Sequence, residues 1–247
     1  MGLAGKIFVY DYDSDTYLPL LIEGDEINLN RLANGDIKLW GETYIGDNDN
    51  YSKFDLDGTL SMEGDARVWD DMRIVPGSFD RPGIADPAYV AYYPNGGGLG
   101  VYLPEFGIND FASFTVQIPH SYHEGEDIYV HIHWTPGSRG VAENGNKVGW
   151  KIDYSWTNIN GTFSDMQTLD LSDECDGTDH KHQMTPDIVI SGTGKGISSM
   201  LVCNIRRSDT GTDDTWVSAT TGQLPILLEV DFHFPINTIG SRERISK

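Results

Sequence analysis

Residues 127–137, DIYVHIHWTPG, constrain the fold more than any other stretch of this chain. They alternate strictly. Ile128, Val130, Ile132 and Trp134 fall on one side, and Tyr129, His131 and His133 on the other. A period of two is that of a strand with one buried face. Pro136 and Gly137 end it, because proline brings no N–H to a ladder and glycine permits the turn. The same period recurs in VGWKIDYSW, where Val148, Trp150, Ile152, Tyr154 and Trp156 share a face, and in LEVDFHF, where Leu228, Val230, Phe232 and Phe234 do. Further strand-like segments cover 88–93, 99–103, 111–118, 166–171, 187–191 and 198–207, and the only helical hint is a single turn at 196–200. Eight or nine strands with long Gly- and Asn-rich connections predict an all-β fold: a jelly-roll-like two-sheet β-sandwich over 88–236.

An extended β-rich N-terminal arm, residues 1–75, is expected to precede it. Short strands at 6–10 and 17–22 flank an acidic turn, and Gly24-Asp25, Gly35-Asp36 and Gly46-Asp47 follow at eleven-residue steps. Turn pairs at that spacing suggest a ladder of short strands, each with too few apolar residues for its own core. Such a ladder needs a partner, which points either to oligomerisation through the arm or to an ordinary loop-rich arm. Residues 66–75 read as the join, with Trp69, Met72 and Ile74 as anchors. Residues 76–87 carry Pro76, Pro82 and Pro87 and read as a turn-rich linker, and 237–247 as a basic C-terminal tail.

The charge excludes some function classes. With 38 acidic and 17 basic residues the net charge is -21, a surface that repels phosphate backbones, so no nucleic-acid partner is expected. No apolar run approaches a membrane span and the first residues show no signal pattern, so no membrane partner is expected either. Two cysteines, Cys175 and Cys203, make no disulfide framework; a single bridge between them stays open, and two free thiols of a chain made in a reducing cytoplasm are the favoured reading.

Several motifs resemble catalytic chemistry. FDLDGTL at 54–60 matches the DxDGT of haloacid-dehalogenase phosphatases, with Asp55 as nucleophile and Asp57 as general acid. That chemistry requires a buried parallel strand before the motif, and NYSKF is not one, so the segment reads as a β-turn. Asp11, Asp13 and Asp15 start like a calcium loop but lack its glycine and its final glutamate. GTGKG at 192–196 lacks the spacing of a phosphate-binding loop. Among seven histidines, the pairs His131/His133 and His180/His182 each place two imidazoles on one strand face, which suits a transition metal. His233 sits on the outward set of the last strand, so His131, His133 and His233 are the metal-ligand candidates of a cupin-like enzyme. A cupin adds a glutamate shortly after its HxH, and here TPGSRG follows instead. The weight of these patterns is against an enzyme, and no cofactor is called for.

The segments VWDDMRIVPGSFDRPG, FTVQIPHSYHEGEDIYVHIHWTPG, VGWKIDYSWTNINGTF and LLEVDFHFP, spanning roughly 58–235, resemble a family of tailed-bacteriophage and prophage structural proteins. The resemblance implies a jelly-roll-like domain displayed on a virion after synthesis in the host bacterial cytoplasm, often as a homotrimer. It carries no catalytic residues across. Three functions follow as expectations: a homotrimeric capsid decoration (cement) protein bound to the major capsid protein or other virion proteins; a tail, collar or head-fibre protein that binds a host glycan or receptor; and the cupin-like metalloenzyme. Tyr92, Tyr93, Trp134 and Trp216 are the aromatics expected to be exposed, although the alternation of its strand also puts Trp134 in the core, and Trp40, Trp69, Tyr92, Tyr93 and Trp216 are the interface candidates.

Overall fold

The computed structural model describes residues 10–11, 16–17, 42–47, 49–94, 97–210 and 213–246. Trp40, the turn pairs Gly24-Asp25 and Gly35-Asp36, and most of the acidic turn at 11–15 lie outside the described residues. The chain divides into two compact units, Met1–Leu39 and Trp40–Lys247. In the first, β1 (Tyr10–Asp11) pairs antiparallel with β2 (Thr16–Tyr17).

The second unit begins with a three-stranded antiparallel sheet of β3 (Thr43–Gly46), β4 (Tyr51–Phe54) and β5 (Leu60–Glu63). FDLDGTL is the β4–β5 hairpin turn. The Gly58 N–H donates to the Asp55 carbonyl at 2.8 Å, and the Asp57 carboxylate accepts from the Thr59 N–H at 2.9 Å. Gly58 has a φ of 83°, a conformation glycine adopts without steric cost. The two aspartates that mimic a phosphatase motif are thus hairpin residues. The chain's last segment is tied to this sheet. Arg242 Nε donates to Thr59 Oγ1 at 2.7 Å and pairs with Asp57 at 3.3 Å, and the Met62 N–H donates to the Asn237 carbonyl at 2.7 Å.

The rest is an all-β, two-sheet sandwich. Its strands are β6 (Val68–Ile74), β7 (Ala88–Tyr92), β8 (Val101–Glu105), β9 (Phe111–Gln117), β10 (Ile128–Thr135), β11 (Lys147–Thr157), β12 (Gln167–Glu174), β13 (Gln183–Met184), β14 (Ile188–Ile190), β15 (Met200–Arg207) and β16 (Ile226–Ile236). One sheet centres on β10 and β16. β13 and β14 pair along the free edge of β10, while β6 and then the β8–β7 hairpin flank β16. All seven residues of β6, the segment that reads as a join in the sequence, register against β16, and Met72 and Ile74 pack on the core. The second sheet runs β12-β11-β15-β9.

Alternation sets the core. Ile128, Val130, Ile132 and Trp134 of β10 meet Trp150, Ile152, Tyr154 and Trp156 of β11, with Leu201, Cys203 and Ile205 of β15 and Phe114 and Val116 of β9. Both cysteines are buried and free. The expected face of the last strand is off by one residue at its start. A bulge lets His133 and Trp134 register with Glu229 and Leu227, so Leu227 enters the core and Leu228 does not.

Trp216, expected to be exposed, is 7% exposed, and Trp134 is fully enclosed, as the alternation of its strand implies and against the expectation of its exposure. Their rings meet edge to face at 5.9 Å between centroids, and the Trp216 indole donates to the Gln223 carbonyl at 3.1 Å. Trp216 comes from a loop outside the strands, where periodicity says nothing about burial; it closes one end of the core and so is corrected from surface anchor to core residue. Tyr93 is exposed, and Tyr92 is partly buried against His180.

Candidate functional site

The outer face of the β10–β16–β6 sheet carries the polar half of the alternation. Register places Tyr129 beside His233, His131 beside Asp231 and His133 beside Glu229, then His233 beside Asp71 and Asp231 beside Arg73. Although these side chains point away from the sandwich core, His131 is only 3% exposed and Asp231 only 4%.

The three histidines singled out in the sequence come together. His131 Nε2 lies 3.0 Å from His133 Nε2. Asp231 Oδ2 stands 3.8 Å from each of these atoms and 3.9 Å from His233 Nε2. Three Nε2 atoms therefore face one carboxylate oxygen. Each imidazole is held by its other nitrogen. His131 Nδ1 bonds Asp187 Oδ1 at 2.7 Å, His133 Nδ1 meets His182 Nε2 at 2.7 Å, and His233 Nδ1 is paired with Asp71. Arg73 clasps Glu229 with two hydrogen bonds of 2.8 Å at the margin.

The contacts define one neutral proton arrangement. A carboxylate only accepts, so His131 Nδ1 carries a proton and His131 Nε2 accepts. His133 Nε2 then donates to it, and His182 Nε2 donates to His133 Nδ1. Burial, reinforced by the neighbouring His131 and His182, lowers the His133 pKa to about 4. Burial also raises the Asp231 carboxyl above its ordinary range, helped by nearby Asp71. Asp231 Oδ1 has no hydrogen-bond partner among the described residues.

Of the second pair noted in the sequence only His182 reaches this cluster, while Asp231, Asp187 and Asp71 escape a sequence-only reading. Asp231 was within reach of it, since it lies two residues from His233 and so shares its face. Asp71 lies on β6, whose register only the fold reveals, and Asp187 lies in the connection just before β14. The other histidines are engaged elsewhere: His120 with Ser198 and Ser241, His123 with Arg67, and His180 against Tyr92.

Two clefts adjoin this face and share a wall. Trp69, 57% exposed, meets Tyr129 edge-on at 5.3 Å between centroids. On one side lies a cleft of about 400 Å³ floored by Asp65, Arg67, Glu126 and Asp127. On the other is a hollow of about 320 Å³ bounded by Asp187 and His233. Arg67 Nη1 pairs with Glu126 at 3.3 Å, and Asp127 accepts from the Gly192 N–H at 3.0 Å, so both acids are held in place. Of the remaining interface candidates, Tyr92 and Tyr93 line a separate hollow of about 270 Å³ with Glu105 and His180.

No protein-family model matches the chain, and no curated protein does. Solved structures to which the chain shows some similarity include a glycoside hydrolase family 115 4-O-methyl-α-glucuronidase with specificity for decorated arabinogalactans, at 14% identity and a TM-score of 0.34 over 65% of this chain. This chain spans 17% of that enzyme. They also include a xylan-binding domain from Paenibacillus barcinonensis, at 10% identity and a TM-score of 0.35, covering 68% of this chain and 99% of that one. A third is the receptor-binding domain of the spike protein P1 from bacteriophage PM2, at 11% identity and a TM-score of 0.28, covering 59% of this chain and 91% of that one.

Proposed function

We propose that this chain is a non-enzymatic structural protein of a tailed-bacteriophage virion whose sandwich binds a host-surface glycan at the Trp69–Tyr129 wall. One observation carries the binding site: a large aromatic ring stands more than half exposed on a rigid strand, braced edge-on by a second ring, with fixed carboxylates and a guanidinium below it. An aromatic face offers apolar area to the C–H face of a sugar ring, and convergent acids and Arg67 offer partners for its hydroxyls. The volume falls within the roughly 300–1,000 Å³ of ordinary ligand pockets. A net charge of -21 and the lining acids favour a neutral saccharide over a polyanionic one. The placement on a virion rests on the segment resemblance.

Capsid decoration as a homotrimer is the second reading, and a different surface favours it. The β7–β8 hairpin exposes Tyr93, Leu99, Val101 and Tyr102, which suits contact with a protein neighbour. Binding of the purified full chain to host cells and to empty heads separates the two. Saturable binding to cells that Trp69→Ala removes supports the glycan reading; binding to heads alone, unaffected by that change, replaces it with decoration.

A further inference from the structure

We infer that His131, His133, His233 and Asp231 form a four-ligand site for a single divalent transition ion, of which zinc is the type. The inference is independent of what the Trp69–Tyr129 cleft binds.

The donor set is the first argument. Three imidazole Nε2 atoms and one carboxylate oxygen suit zinc. Ligand bonds of about 2.0–2.2 Å put tetrahedral donors roughly 3.3–3.6 Å apart. The separations of 3.0, 3.8, 3.8 and 3.9 Å bracket that spacing. His131, His233 and Asp231 each offer an atom within 4.8 Å of the others. Glu229 stands in a second such group with His133 and Asp231, but Arg73 already occupies both its oxygens.

The outer contacts are the second argument. Imidazoles that bind metal through one nitrogen hold the other against a carboxylate or another acceptor, which fixes the ring and its tautomer. His131 has Asp187, His233 has Asp71 and His133 has His182. All three rings thereby turn Nε2 inward.

The third is an unsatisfied group. Asp231 is 4% exposed and its Oδ1 bonds nothing among the described residues, although a buried carboxylate without partners is costly. A cation between Asp231 and the imidazoles compensates that cost. On loading, His133 and His182 each change tautomer through solvent, losing the proton on Nε2 and taking one on Nδ1. His133 Nε2 then gives its lone pair to the metal and His133 Nδ1–H donates to His182 Nε2. No net proton is released by these two rings and no oxidation state changes.

Four protein ligands close the coordination sphere, the pattern of a structural rather than a catalytic site. The ion joins β10 to β16, and through Asp71 and Asp187 it braces β6 and the β13–β14 edge.

The test uses the full chain purified without a histidine tag, stripped with chelator and titrated with Zn²⁺ and, separately, with Co²⁺. Wild type is expected to bind about one equivalent, to melt several degrees higher when loaded, and to show the intense visible absorption of tetrahedral Co²⁺. His233→Ala, at a partly exposed position, and the isosteric Asp231→Asn should each lose the Co²⁺ band and the thermal shift, while His120→Ala keeps both. Absence of stoichiometric metal and of any thermal shift in folded wild type would overturn the inference. So would Co²⁺ spectra unchanged in folded His233→Ala and Asp231→Asn.

Discussion

The indole N–H of Trp134 donates to the carboxylate of Asp173 at 2.8 Å, a hydrogen bond that joins β10 of one sheet to β12 of the other. Burial raises the Asp173 carboxyl above its ordinary range, with hydrogen bonds from Trp134 and Gln183 opposing. Asp173→Ala leaves an enclosed N–H without its acceptor and should cost about 1–3 kcal/mol in denaturant unfolding. Asp173→Asn keeps an acceptor oxygen and sheds a charge that burial disfavours, so its loss should be clearly smaller. Equal losses for the two would show that the bond is not what matters.

Arg207 ends β15 on the core face and is 1% exposed. It forks onto Asp214 at 2.8 and 2.9 Å and donates to the Phe106 carbonyl at 3.2 Å, and Asp214 also accepts the Gly149 N–H at 2.9 Å. Removing one partner of such a pair strands a buried charge. Asp214→Ala should destabilise by about 3–5 kcal/mol, read as a lower urea midpoint. A shift under a third of that would mean that water reaches the guanidinium.

Asp153 gives the chain an acid-sensitive bond between β11 and β15. Burial alone would raise its carboxyl, but hydrogen bonds from Arg206 at 2.8 Å and Thr168 at 2.5 Å override it, and the net shift is downward. A lowered carboxyl stabilises the fold above the ordinary aspartate value near 3.9 and loses that stabilisation as pH falls through the folded value. Melting temperatures of wild type and Asp153→Asn should therefore differ at pH 6 and converge toward pH 3. Parallel curves would contradict the assignment.

Much of the sandwich was legible because strand alternation is a one-dimensional signal. The core faces of β10 and β11 follow from period two alone. Leu228 misleads because a bulge is one extra residue that no propensity announces. Trp216 misleads because a loop has no period, so an aromatic there reads as exposed until the fold shows what it covers. At the candidate metal site, His131 and His133 are neighbours in sequence as well as in space. Asp71 lies far from them in the chain, and only the β16–β6 register brings it to His233. The Trp69–Tyr129 wall has the same origin: an exposed and a partly buried aromatic from separate segments that meet once β6 docks on the sheet.

The functional claim rests most on Trp69, so the most direct measurement is the affinity of the purified full chain for saccharide extracted from the host surface, in wild type and in folded Trp69→Ala and Trp69→Phe. Loss of the exposed face should weaken binding at least about tenfold, equivalent to about 1.4 kcal/mol, with Phe restoring a substantial part. Binding to the saccharide that is equally strong in Trp69→Ala, or no saturable binding by wild type, would contradict it.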